Sequence, residues 1–224
     1  MIELDDVTRV YHGSRGTVLA LEDVTLRIER GQFVTVRGPS GCGKSTLLMT
    51  IGGMLRPTRG TVRVDGVDLY ACSARQRAAF RAQRIGFVFQ MFHLVPYLSV
   101  LDNVVLGGRV AGADRRRASE LLERLGLSHR LRHKPSELSI GERQRAAIAR
   151  AMMNEPDLIL ADEPTGNLDP DNAKQVFEIL SAYHRGGGTL VVVTHGDMAD
   201  GYADRVIQMR AGRVMTEAGA SVMR

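Results

Sequence analysis

The sequence predicts an α/β domain with a mostly parallel central sheet, an antiparallel β portion at the N-terminus and a helical subdomain inserted in the middle. Three observations carry this. From about residue 34 onward, short apolar runs of strand length alternate with stretches of helical spacing, the pattern of a sheet covered by crossover helices. Residues 2–10 and 24–36 alternate apolar and polar residues, as strands do. Residues 91–154 keep helical spacing almost throughout and separate two strand-bearing halves.

Taken in order, residues 2–10 and 24–36 alternate and predict strands. Val34-Thr35-Val36 leads into a Gly-rich turn and a helix over about 44–53. Thr61–Val64 is a strand closed by the turn pair Asp65-Gly66. Residues 73–83 read as a helix and Ile85–Phe89 as a buried strand. Helical spacing fills 99–131, with loops near 107–112 and at Gly126, and Pro135 ends it. Gly141–Met153 is an Ala- and Arg-rich helix, and Leu158–Ala161 a continuous apolar strand. A helix over 170–184, a strand over 189–193, a short helix near 197–203 and a strand pair at 205–209 and 213–216 complete the chain. The expected organisation is one domain over 1–224, with a core and β part from 1–90 and 155–224 and the helical subdomain from 91–154.

Composition narrows the class. Hydrophobic residues make up 44% and charged residues 25%, which is ordinary for a globular domain. The apolar runs are too short to cross a bilayer. The opening Met1-Ile2-Glu3-Leu4-Asp5-Asp6 is acidic and unlike a secretory signal. Cys42 and Cys72 make no disulfide framework. Together these predict a soluble cytoplasmic chain. Net charge is +5, but residues 73–150 hold 15 basic against 6 acidic residues, while the rest hold 15 against 19. Such a basic middle suits an anionic partner, either nucleic acid or a membrane surface.

The sharpest motif is Gly38-Pro39-Ser40-Gly41-Cys42-Gly43-Lys44-Ser45, matching G-x-x-x-x-G-K-[ST] between a strand and a helix. With glycine near ~7% of residues, chance gives such a match in roughly one chain per hundred. Backbone N–H groups of Gly38, Ser40, Gly41, Cys42 and Gly43 and the helix N-terminus can cradle phosphate oxygens. Lys44 reaches the β- and γ-phosphates, Ser45 binds Mg²⁺ and Thr46 contacts the α-phosphate of a nucleoside triphosphate. Cys42 lies beside Lys44 and the helix N-terminus, both of which favour a reactive thiolate. The strand Leu158–Ala161 ends in Asp162-Glu163. With the phosphate loop, Asp162 becomes a Mg²⁺ site and Glu163 a base for the water attacking the γ-phosphate.

Leu138-Ser139-Ile140-Gly141-Glu142-Arg143-Gln144-Arg145 lies just upstream of that strand. The order of phosphate loop, Gln90, this segment, Asp162-Glu163, Gly166-Asn167-Leu168-Asp169 and His195 resembles the ABC (ATP-binding cassette) ATPases over residues 2–216. The runs Phe87–Leu94, Asp102-Asn103-Val104 and Ala161–Asp169 are similar to the lipoprotein-release and macrolide-export branch. This resemblance implies a P-loop NTPase fold, ATP and Mg²⁺ as cofactors, and hydrolysis coupled to transport. It implies that Tyr11 stacks on adenine, that Gln90 senses Mg²⁺ and the attacking water, and that His195 contacts the γ-phosphate. Ser139 and Gly141 would contact ATP held by a second copy, and Asp169 would join the two sites across the homodimer. The partner would be a separately encoded membrane permease rather than nucleic acid, with the chain peripheral on the inner face of the cell membrane. Two departures stand out: Ile140 where the family usually has glycine, and Gly196 where an acid often follows the histidine. A soluble ABC ATPase of DNA repair or translation, and a cassette that binds without turnover, are the rival readings.

Overall fold

The computed structural model describes residues 1–13, 16–108 and 114–215. Two sheets form its centre. The first has the order β2(Gly16–Ile28), β1(Ile2–Gly13), β4(Arg59–Val64), β5(Val67–Asp68), and its pairings are antiparallel. The second has the order β10(Arg213–Met215), β9(Arg205–Arg210), β3(Phe33–Arg37), β8(Thr189–Thr194), β7(Leu158–Asp162), β6(Ile85–Val88). All its pairings are parallel except β9 with β10. The expected fold class, with its parallel sheet and N-terminal antiparallel part, is therefore the one observed.

The parallel sheet explains the unbroken apolar runs. Leu158 to Ala161 and Leu190 to Val193 are fully buried because helices cover both faces of such a sheet. One core cluster joins β3, β7, β8 and α1(Lys44–Ile51) to the antiparallel sheet. The other face packs Ile159, Val192 and Val88 against Val176, Phe177 and Leu180 of α6(Pro170–Arg185). Each such side chain contributes about 1.5–3 kcal/mol on burial.

Between β6 and β7 lie α3(Val100–Val105), α4(Arg115–Arg124) and α5(Ile140–Ala151), with α2(Ala74–Arg84) ahead of β6. The three inserted helices share a small core of Val100, Val104, Leu122, Leu127, Ala146 and Ala149. α5 also faces the main body. Ile148 joins the α6 cluster, and a Cβ on Gly86 would stand 2.5 Å from the Ala151 carbonyl, so β6 runs directly under the end of α5.

Four expectations about elements need correction. The alternation over 24–36 is two strands, because Gly31 turns with φ 73° and Gln32 N–H bonds back to the Glu29 carbonyl. β2 begins at Gly16, earlier than expected; Val18 and Leu19 are exposed there, so no buried face marks the start of the strand. The helical spacing over 99–131 breaks at Gly126 as expected, but beyond that break it holds a 3-10 turn over Ser128–Arg130 instead of an α-helix. The short helix near 197–203 is a 3-10 turn, Met198–Tyr202. The expected loop reaching residue 112 and the strand end at residue 216 lie partly outside the described residues.

Candidate functional site

The phosphate loop connects β3 to α1 and is clamped from two sides. Gly43 caps α1 with φ 105°, and a Cβ there would sit 2.1 Å from the Ala20 carbonyl of β2. At Gly38 a Cβ would sit 2.1 Å from the Met209 carbonyl of β9. Both glycines are therefore required by close backbone approach, and Gly43 also by its left-handed conformation. Gly212 N–H bonds the Cys42 carbonyl at 2.9 Å. Ser40 and Gly41 stay exposed at the tip.

Lys44 is buried and donates to the carbonyls of Gly38 at 2.8 Å and Pro39 at 3.1 Å. A cation held across the loop mouth in this way is poised to exchange carbonyl oxygens for phosphate oxygens. Thr46 is half-buried in the first turn of α1. The reactive thiol expected at position 42 is not exposed: Cys42 is 5% accessible and belongs to the main core cluster. The loop lends its backbone outward while this side chain packs inward.

Asp162 ends β7 opposite the loop, and Ser45 Oγ donates to its Oδ1 at 3.0 Å. Burial pushes the Asp162 carboxyl above its usual range; the Ser45 bond and Lys44 pull the other way, while Glu163 adds to the rise. A carboxylate buried without full compensation is suited to a bound cation. The hydroxyl and carboxylate are hard oxygen donors of the kind Mg²⁺ prefers. Among the described residues no three His, Cys, Asp or Glu converge on a metal site. A divalent ion here would complete its shell from phosphate oxygens and water.

Glu163 turns the chain away from the sheet with φ 45°, a conformation uncommon outside glycine. Its N–H is bonded to the Val193 carbonyl at 2.9 Å, and its carbonyl accepts Gly166 N–H at 3.1 Å. Its Oε2 accepts the Thr194 hydroxyl at 3.0 Å and lies 3.0 Å from His195 Nδ1. The Gln90 amide reaches the same place from β6: a Cβ on Gly166 would lie 3.1 Å from Gln90 Nε2 and 3.6 Å from Glu163 Cβ. Lys44, Ser45, Asp162, Glu163, His195 and Gln90 are thus joined at the C-terminal ends of adjacent parallel strands, where open α/β sheets bind ligands.

Tyr11 stands on the β1–β2 hairpin opposite Val18, two positions from Ala20, which abuts the loop. Its ring is partly exposed, with the Arg9 guanidinium 4.6 Å from the centroid. Ser139, Gly141 and Asp169 form a separate group. Ser139 caps α5 in a capping box with Glu142. Burial alone would raise the Glu142 carboxyl, but the Ser139 backbone N–H, Arg130 and the Ser139 hydroxyl outweigh it and hold it at about 2. Asp169 caps α6 and accepts Asn172 Nδ2 at 2.6 Å. A Cβ on Gly141 would lie 2.1 Å from Asn172 Oδ1, which Arg145 also holds at 3.2 Å. Among the described residues this group shares no hydrogen bond with the phosphate loop.

Two residues at these sites escaped the sequence reading. Thr194, directly before His195, anchors Glu163. Asn172, three positions after the Asp169 cap, ties Gly141 to Asp169; the Asp-x-x-Asn spacing at a helix start was its only sequence signal.

The family profile described as ABC transporter matches residues 21–166. The lipoprotein-releasing system ATP-binding protein LolD of Geobacter metallireducens is 44% identical, covering 97% of this chain and 99% of that protein. The macrolide export ATP-binding/permease protein MacB of Chlorobium luteolum is 46% identical over 97% of this chain but only 33% of its own length. The chain thus spans about a third of the macrolide export proteins it matches. The dimeric structure of MJ0796, a bacterial ABC transporter cassette, superposes with a TM-score of 0.90 at 40% identity, covering 97% of both chains. A second structure of that cassette, dimeric and bound to ADP and Pi in a post-hydrolysis state, gives the same TM-score at 39% identity. With a loop clamped for phosphate, a carboxylate pair at the tip of β7 and these relatives, the chain belongs to the ABC transporter family.

Proposed function

We propose that the chain binds and hydrolyses ATP as the nucleotide-binding subunit of an exporter or lipoprotein-release type transporter. In this reading two copies dimerise on ATP and drive a separate membrane permease. The observation that carries it is the convergence of Lys44, Ser45, Asp162, Glu163, Gln90 and His195 beside one clamped phosphate loop.

The backbone of Gly38–Gly43 and the N-terminus of α1 hold the β- and γ-phosphates, and Lys44 neutralises them. Thr46 takes the α-phosphate, and Tyr11 offers its ring to adenine. Mg²⁺, held by Ser45 and Asp162 with Gln90 nearby, supplies charge neutralisation to the phosphates when bound. Glu163 accepts a proton from the attacking water, and His195 orients the Glu163 carboxylate and donates to the γ-phosphate. The chain's contribution is positioning and electrostatics, as phosphoryl transfer generally requires.

Ser139, Gly141 and Asp169 face the ATP of the second copy, which fits their separation from the chain's own loop. The dimeric state of the MJ0796 cassette supports this. Residues 91–154 act as the helical subdomain that meets the permease at the inner membrane face. The exposed side chains of Met91, Tyr97 and Leu106 support an apolar partner there. No helix among the described residues is long and apolar enough to cross a membrane, so that partner would provide the spans. Much of the basic middle bonds within the protein, as in Arg84–Asp157, Arg115–Asp102 and Arg117–Glu155, which weakens the case for a nucleic-acid surface.

The test is ATP hydrolysis by the purified protein with and without Mg²⁺, beside Lys44→Ala, together with a pull-down from membranes and a DNA-binding titration. Mg²⁺-dependent turnover lost in Lys44→Ala, with a membrane protein captured, is expected. Salt-sensitive DNA binding without a membrane partner would favour the DNA-repair reading.

A further inference from the structure

Directly after Gln90 the backbone does something unusual. Phe92 and His93 both take left-handed conformations, with φ 44° and 50°, and His93 N–H folds back onto the Met91 carbonyl. Consecutive left-handed residues with bulky side chains are strained, and persist only where their surroundings hold them. His93 is exposed, and its ring touches Phe89 edge-on at 5.0 Å, which is a weak restraint.

The strong restraint comes from α5. Arg150 donates one guanidinium nitrogen to the His93 carbonyl at 2.5 Å and the other to the Phe92 carbonyl at 2.6 Å. Its own seat is tight: a Cβ on Gly107 would stand 2.3 Å from the Arg150 carbonyl and 2.8 Å from its Cγ. Asn154 donates to the Gly107 carbonyl at 2.7 Å, closing the same corner. A rigid fork thus grips two adjacent carbonyls of a strained turn, a task for which the single ammonium of lysine is a poor substitute. Arg150 lies eleven residues beyond Ser139 on the same helix, roughly 16 Å along its axis.

We propose that Arg150 is a positioning residue that latches the strained segment after Gln90 to the helix capped by Ser139, so that the place of Gln90 in the site follows the place of α5. Without the latch, Phe92 and His93 relax toward negative φ and Gln90 leaves its position beside Glu163. This rests on the ATPase reading for its consequence in turnover, but not for the latch itself.

The experiment follows amide hydrogen exchange over residues 89–95 and steady-state ATP hydrolysis in the wild type, Arg150→Lys, Arg150→Met, His93→Gly and the Arg150→Met/His93→Gly double variant. In Arg150→Met, exchange in this segment should rise by about tenfold while the rest of 91–154 is unchanged. Its kcat should fall by about tenfold with the KM for ATP little altered, because a misplaced Gln90 affects chemistry rather than binding. Arg150→Lys should lie between. Glycine adopts a left-handed conformation without strain, so adding His93→Gly should restore part of the lost kcat, by about threefold. A merely structural arginine would show no such rescue. Unchanged exchange over 89–95 in Arg150→Lys and Arg150→Met would overturn the latch. So would a uniform rise across the subdomain with no rescue by His93→Gly. If Arg150→Met does not fold, exchange in Arg150→Lys decides. A wild type without ATPase activity would sink the ATPase reading, and the exchange arm would still judge the latch.

Discussion

The Glu163 carboxylate lies 3.0 Å from His195 Nδ1, and the same oxygen accepts the Thr194 hydroxyl at 3.0 Å. The carboxylate that we propose as the base is therefore oriented by the segment at the end of β8. The backbone reinforces this, because the left-handed turn at Glu163 is pinned to the Val193 carbonyl one strand away. Thr194 and Val193 belong to β8 and His195 follows it directly, so one neighbouring segment supplies these contacts.

Replacing the base should separate binding from chemistry. Glu163→Gln keeps the shape but cannot accept the proton, so turnover should drop by at least about 10²-fold while ATP affinity changes little. Calorimetric titration beside a phosphate-release assay checks both halves. Turnover near that of the wild type would remove Glu163 from its role.

Asp162 offers a test with a less obvious sign. Burial raises its folded-state pKa, against the lowering pull of Ser45 and Lys44. A raised carboxyl contributes stability below its unfolded value, and that contribution is lost as pH rises through the folded one. At neutral pH the wild type therefore bears a cost that Asp162→Asn avoids. The variant should melt higher than the wild type without nucleotide at pH 7, with the difference shrinking in acid. In Mg²⁺ and ATP the order should reverse, because only the wild type gains from the bound pair. Thermal unfolding of both proteins under these three conditions reads this directly.

Glu142 has the opposite sign. Its folded value is held at about 2, against 4.5 for the free group. Its contribution is present above the unfolded value and disappears as pH falls from 4.5 toward 2. Glu142→Gln should flatten that part of the stability profile, measured by urea unfolding at successive pH values. An unchanged acid slope would show that the Arg130 and Ser139 contacts contribute nothing.

What the sequence made legible was local chemistry. The loop around Lys44 and the carboxylates at the tip of β7 each lie within a few residues, and their spacing alone dictates their geometry. Contacts made by packing were not readable. Asn172 under Gly141, Thr194 on Glu163 and Arg150 on the Phe92 and His93 carbonyls join elements distant in the chain. The missed start of β2 has a similar cause, since Val18 and Leu19 are exposed and leave no burial pattern. The single strand expected over 24–36 failed on one glycine: Gly31 with φ 73° turns the chain between two sheets.

The departure at Ile140 should be tolerated. It occupies the first position of α5, is 47% exposed, and is not among the left-handed residues. Its N–H remains available at the helix N-terminus. Ile140→Gly should change the maximal ATPase rate by less than about tenfold, ~1.4 kcal/mol in barrier. A much larger gain would mark the native chain as a crippled hydrolase and favour the binding-only reading.

In the proposed cycle two copies close on ATP, each offering Ser139 and Gly141 to the other's nucleotide. Sedimentation velocity on Glu163→Gln, with and without Mg²⁺ and ATP, measures this closure, with Ser139→Arg added in a second sample. Monomers are expected without nucleotide, dimers with it, and monomers again once Ser139→Arg places bulk and charge at the contact. Dimers that form without ATP, or that survive Ser139→Arg unchanged, would contradict it.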